Sequence, residues 1–169
     1  MYEKEYYLRL QQKYHPENLR TIFVLESPPV SGLYFYDNSG KTSEPLFTEM
    51  MKLINFHARN KEEGLREFQA RGYLLIDATY SQVNDLTGPA RDAEIKNDYA
   101  LLVEDLKEIN PTKGIPIVLV KANVCRLLEA PLLKDGFNVL NSGVVVPFPS
   151  TGQQKRFHQK MAEFFVVET

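Results

Sequence analysis

The sequence predicts an α/β fold, a three-layer α/β/α arrangement around a four-stranded parallel sheet, and three observations lead there. The apolar runs at residues 22–25, 73–76 and 115–120 are continuous rather than alternating, the pattern of strands hidden on both faces. Segments of helical periodicity separate them, which is the order that parallel pairing with right-handed crossovers requires. The runs end on polar residues, Glu26-Ser27, Asp77 and Lys121. A parallel topology brings these to one sheet edge, where open α/β sheets bind ligands.

The totals narrow the class. A chain of 169 residues is read as a single domain over 1–169, long enough to bury one sizeable core. With 43% hydrophobic and 25% charged residues it matches ordinary globular proteins, which disfavours disordered, collagen-like and coiled-coil readings. A formal charge of −2 argues against a uniformly basic nucleic-acid coat and leaves room for a local cationic patch. One cysteine, Cys125, and three histidines make neither an internal disulfide nor a spaced ligand set, so no metal or other cofactor is expected. The N-terminal MYEKEYYLRLQQKY is charged throughout and no apolar run approaches the roughly 20 residues of a membrane span. The expected compartment is therefore the cytoplasm.

Taken in order, residues 2–14 read as an amphipathic helix with Tyr7, Leu10 and Tyr14 on one face, ended at His15-Pro16. The first strand follows, and Pro28-Pro29 turn the chain out of the sheet into a loop carrying Gly32, Tyr34, Phe35, Tyr36 and Gly40. Ser43 is the expected N-cap of a helix with Pro45 in its first turn and Leu46, Phe47, Met50, Met51 and Ile54 inward. Asn60 and Glu63 have capping-box spacing for a short helix burying Leu65 and Phe68 and closing at Gly72. His57, between these helices, is read as structural. Residues 78–89 lack a period and read as a long loop at the site edge, a length often tied to function. One helix is expected over 90–109, with Ile95, Tyr99, Leu102, Val103 and Leu106 inward.

After the third strand, residues 122–129 read as a helix in which Cys125 is a small core residue. A fourth strand is expected within 137–146, interrupted by a bulge or turn at Asn141-Ser142-Gly143. The last helix, 153–166, follows Pro147-Phe148-Pro149-Ser150-Thr151-Gly152, with Thr151 and Gln154 at capping-box spacing. A helix start beside Ser150, Thr151 and Gly152, with Lys155 and Arg156 in its first turn against the macrodipole, is the expected phosphate site.

This order of elements resembles the uracil-DNA glycosylase superfamily, and the resemblance covers most of the chain in outline. Leu25-Glu26-Ser27-Pro28 is similar to the first family motif in Glu26 and Pro28. Gly32-Leu33-Tyr34-Phe35 looks like Gly-Leu-x-Phe, whose phenylalanine stacks on the extruded base. Asp77 stands where a base-reading Asn usually ends the second strand, and Phe148-Pro149-Ser150 is similar to the closing His-Pro-Ser. The resemblance implies strand order 2-1-3-4 and a DNA-repair hydrolase that flips a damaged or modified base and breaks its N-glycosidic bond. It implies catalytic roles for Glu26 and Ser27 and base contacts from Phe35, Tyr36, Asp77, Lys121 and Phe148. Flanking phosphates would meet Ser150, Thr151, Gly152, Lys155 and Arg156. Its implied partner is DNA, or less directly a free nucleoside.

The chain departs from that pattern in ways that bear on the reaction. Ser27 replaces a water-handling Asp or Asn, Phe148 replaces a charge-stabilising His, and the cluster-binding cysteines of the Glu-containing branch are missing. Losing one donor to a developing charge typically costs about 10² to 10³ in rate. The alternative reading is a non-catalytic nucleic-acid-binding module of the same fold. A Ser27 hydrolase is disfavoured because His and Asp partners cannot be placed. An ionised Asp77 can only accept hydrogen bonds, which predicts a base with an amino group on the facing edge and poor use of uracil. The alternatives are that burial keeps Asp77 protonated, or that it reads no base and bonds the amides of its own following loop.

Overall fold

The computed structural model describes residues 2–167. Its element order is α1 Lys4–Gln12, β1 Thr21–Leu25, α2 Pro45–Leu53, α3 Lys61–Ala70, β2 Tyr73–Asp77, α4 Gly88–Asn97, α5 Tyr99–Ile109, β3 Ile117–Leu119, α6 Ala122–Lys134 and α7 Gln154–Met161. The sheet is parallel, with order β2-β1-β3. Every strand residue is buried, so both faces are covered, as continuous apolar runs require. The register pairs Leu25 with Asp77 and Val24 with Leu119. That alignment carries Glu26, Asp77 and Lys121 to one edge.

The expected fourth strand is reduced to a single parallel bridge between Ile117 and Val139. Ile117 N–H donates to Asn138 O, and Leu140 N–H donates to Ile117 O, each at 2.8 Å. Beyond that point the Asn141 side chain takes over the ladder. Its Oδ1 accepts from Leu119 N–H at 2.9 Å, and its Nδ2 donates to Leu119 O at 2.9 Å and to Val144 O at 3.1 Å. One buried amide thus satisfies the β3 edge that a strand peptide would otherwise pair, and the chain is free to turn there.

Other boundaries moved for local reasons. The helix expected over 90–109 is two, α4 and α5, meeting at Asp98, whose carboxylate is held by the Thr79 hydroxyl at 2.6 Å. Glu44, not Ser43, caps α2, and without a side-chain cap bond. Asn60 accepts from Glu63 N–H at 2.8 Å, but the Glu63 carboxylate turns to Arg59 instead of completing the box. The Thr151–Gln154 box does not form: Gln153 is the cap residue of α7, and the helix stops at Met161. Helix α6 runs on past 129 to Lys134 with Pro131 inside it. His15 and His57 are exposed and Cys125 is buried. Among the described residues, no helix is long and apolar enough to cross a membrane.

Candidate functional site

At the carboxyl ends of the strands lies a cavity of about 280 Å³. Phe35, Phe47, Leu46 and Phe148 give it apolar walls, and Glu26, Ser27, Tyr34, Asp77, Asn84 and Lys121 supply its polar groups. An apolar hollow with few convergent polar groups is the usual form of a small-molecule or cofactor site.

The loop after β1 is shaped by a buried ion pair. Lys61, fully buried on α3, donates to Glu44 Oε1 at 3.1 Å and to the Tyr34 carbonyl at 2.9 Å. Burial lowers the Lys61 pKa, with Glu44 opposing the shift. An added Cβ at Gly40 would sit 2.0 Å from Glu44 Oε2, so a side chain there would push the carboxylate aside. Across the cavity, Gln82 donates to the Pro29 carbonyl at 3.3 Å and to Tyr7 Oη at 2.9 Å, tying the 78–87 loop to the first loop and to α1.

Glu26 is nearly enclosed and fully engaged. Its Oε1 accepts from Arg91 Nη2 and from Lys121 Nζ, each at 2.6 Å; its Oε2 accepts from Arg91 Nε at 3.3 Å and from Asn123 Nδ2. Burial alone would raise its pKa, but the donors from Arg91, Lys121 and Asn123 outweigh it and hold the carboxyl below its usual range. A carboxylate has about four lone-pair positions, and all four are taken. A water reaches Glu26 only by displacing one of these donors. Lys121 is held there from a strained backbone, at φ +95°, where a side chain is rarely found.

Asp77 is its opposite. It is buried, its Oδ2 has no hydrogen-bond partner among the described residues, and burial followed by the Glu26 charge pushes its pKa up to about 8. At neutral pH it is a carboxylic acid with a proton to give. Two more buried atoms share its condition: Ser27 Oγ and Tyr34 Oη have no partner among the described residues. Burial first, and then Asp77, drives the Tyr34 phenol pKa well above its ordinary value, so it too remains a donor. All three residues line this one cavity.

The residues expected at the site divide into two groups. Glu26, Ser27, Phe35, Asp77, Lys121 and Phe148 come together around the cavity. Tyr36 does not line it; its hydroxyl is buried and accepts from Leu75 N–H at 2.8 Å. Ser150, Thr151, Gly152, Lys155 and Arg156 are exposed and outside the lining. The sequence alone does not mark Arg91, Asn123 or Asn84 as site residues, and it marks Tyr34 only as part of the aromatic run in the first loop. The signal for Arg91 was its position just after the long 78–89 loop, and for Asn123 its place two residues beyond Lys121. Compared with known proteins, the chain matches no family model, no curated protein and no solved structure.

Proposed function

We propose that the cavity holds a nucleobase and that the protein is a glycosylase-like hydrolase of the N-glycosidic bond of a damaged or modified base. One observation carries this reading: Ser27, Tyr34 and Asp77, whose Oγ, Oη and Oδ2 are buried without partners among the described residues, all line a single aromatic-walled cavity. Each unsatisfied buried polar group typically costs about 1–3 kcal/mol, a cost that a planar ligand with a polar edge relieves. Phe148 offers ring surface with Phe35 behind it in the wall, and Tyr34 and Asp77 read the edge. The volume limits the occupant to roughly a base with its sugar.

The chemistry follows from the two carboxyl groups, whose environments push their pKa values apart. Neutral Asp77 is the general acid: its proton passes to the leaving base as the C1′–N bond breaks and the bonding pair departs with the base. A water held at Ser27 Oγ adds to C1′, and its proton returns to the Asp77 carboxylate. General acid catalysis of this kind contributes about 10² to 10⁴ in rate. Protonated Asp77 offers one donor and one acceptor, as an Asn would. Uracil is then accommodated below about pH 8, and the preference for an amino-bearing edge belongs only to the ionised form.

A second reading, a nucleic-acid-binding module without catalysis, is favoured by the saturation of Glu26, which leaves no carboxylate free to activate water. Oligonucleotides carrying a panel of modified bases, incubated with the protein and then treated with alkali, separate the two. Strand cleavage at one or more lesions, lost in Asp77→Ala, supports the hydrolase. Salt-sensitive binding with no cleavage at any lesion supports the module.

A further inference from the structure

We propose that Lys121 and Arg91 form an anion-binding subsite at the cavity wall, taking one phosphate group attached to the ligand whose ring fills the cavity. The ring rests on the nucleobase reading above; the charge count does not. Glu26 is one negative charge against the two cations Arg91 and Lys121. Glu44 is matched by Lys61, and Asp77, buried beside Glu26, is neutral at physiological pH. The cluster centred on Glu26 therefore carries one positive charge more than its carboxylate neutralises.

Geometry says where that charge is. Arg91 and Lys121 each approach Glu26 Oε1 at 2.6 Å, so their nitrogens lie no more than about 5.2 Å apart. Glu26 acts as a spacer that holds two cations together. Neither cation is exhausted. Lys121 spends one of its three N–H donors, and Arg91 Nη1 has no partner among the described residues. Both side chains stay partly open to solvent, at 29% and 23%, while the carboxylate between them is 6% exposed. Lys121 lines the cavity itself, and Arg91 adjoins it through the shared Glu26 oxygen. The bond to Glu26 Oε1 holds the Lys121 amine there. A phosphate oxygen can join such a pair through charge-assisted bonds.

The test uses the full chain and inorganic phosphate, 2-deoxyribose 5-phosphate, deoxyuridine, deoxyuridine 5′-monophosphate and a short single-stranded oligonucleotide, measured by calorimetry at low and high salt. The monophosphate is expected to bind at least about tenfold more tightly than the nucleoside, with the advantage shrinking as salt rises. The monophosphate and oligonucleotide arms distinguish a terminal phosphate from a backbone phosphodiester. Lys121→Gln removes the advantage. Glu26→Gln is expected to do the reverse and increase it, because it deletes the competing negative charge; a merely structural role for the cluster would weaken binding in both variants. Equal affinity for nucleoside and monophosphate, or weaker phosphate binding in Glu26→Gln with the fold retained by circular dichroism, overturns the proposal. Phosphate-dependent binding together with no excision of any base sinks the hydrolase reading and leaves this one standing.

Discussion

Replacing Asp77 with Asn should stabilise the protein, and increasingly so as the pH rises. The Asp77 pKa is raised from 3.8 to about 8 by burial and by the Glu26 charge. A carboxyl whose folded pKa exceeds its unfolded one favours the folded state fully only below the unfolded value. That contribution is lost as pH climbs from about 4 to about 8, because the unfolded chain can release the proton and the folded chain cannot. At 1.36 kcal/mol per unit, the loss runs to on the order of 5 kcal/mol across the window, with a slope of about 1.4 kcal/mol per pH unit. Asparagine keeps the volume and does not titrate. The assay is urea denaturation of both proteins at pH 5, 6, 7, 8 and 9. The variant's advantage should grow steadily to pH 8 and then level. A difference that stays flat from pH 5 to 9 would refute the assignment of Asp77 as a buried neutral acid. The same variant bears on recognition: above pH 8 the natural protein should lose affinity for a uracil edge, while Asp77→Asn should not.

Two further substitutions test how the cavity is held. Lys61→Met leaves the Glu44 carboxylate buried without its cation, which should cost about 3–5 kcal/mol in a denaturant titration; adding Glu44→Leu should recover most of the loss. Gly64→Ala should destabilise by about 1–3 kcal/mol despite alanine's better helix propensity, since the new Cβ would stand 2.4 Å from Phe47 Cζ and 2.8 Å from Met51 Sδ; an unchanged or raised melting temperature would show that α2 and α3 pack less tightly than described.

The sequence by itself determined the three strands that pair and the edge at which they end, though not that a fourth would fail to form. Continuous runs such as TIFVL and YLLID admit only strands covered on both faces, and in a parallel sheet their last residues must emerge together. Glu26, Asp77 and Lys121 were legible as a group for that reason, and Phe35 and Phe148 only through the resemblance of their short motifs to those of a known family. Tertiary structure decided what those residues are chemically. Glu26 and Asp77 look alike in the chain, yet Arg91, Lys121 and Asn123, arriving from distant segments, ionise one, while burial and the neighbouring Glu26 charge protonate the other. Nothing local to DATYS or LESPP carries that distinction, because a pKa depends on every charge and dipole around the group. The same holds for Asn141, whose amide replaces a fourth strand through bonds to Leu119, and for Tyr36, drawn into the core by one amide of β2. Periodicity records which face of an element is buried; it does not record which distant donor meets a given oxygen, and that pairing alone separates a saturated carboxylate from an available acid.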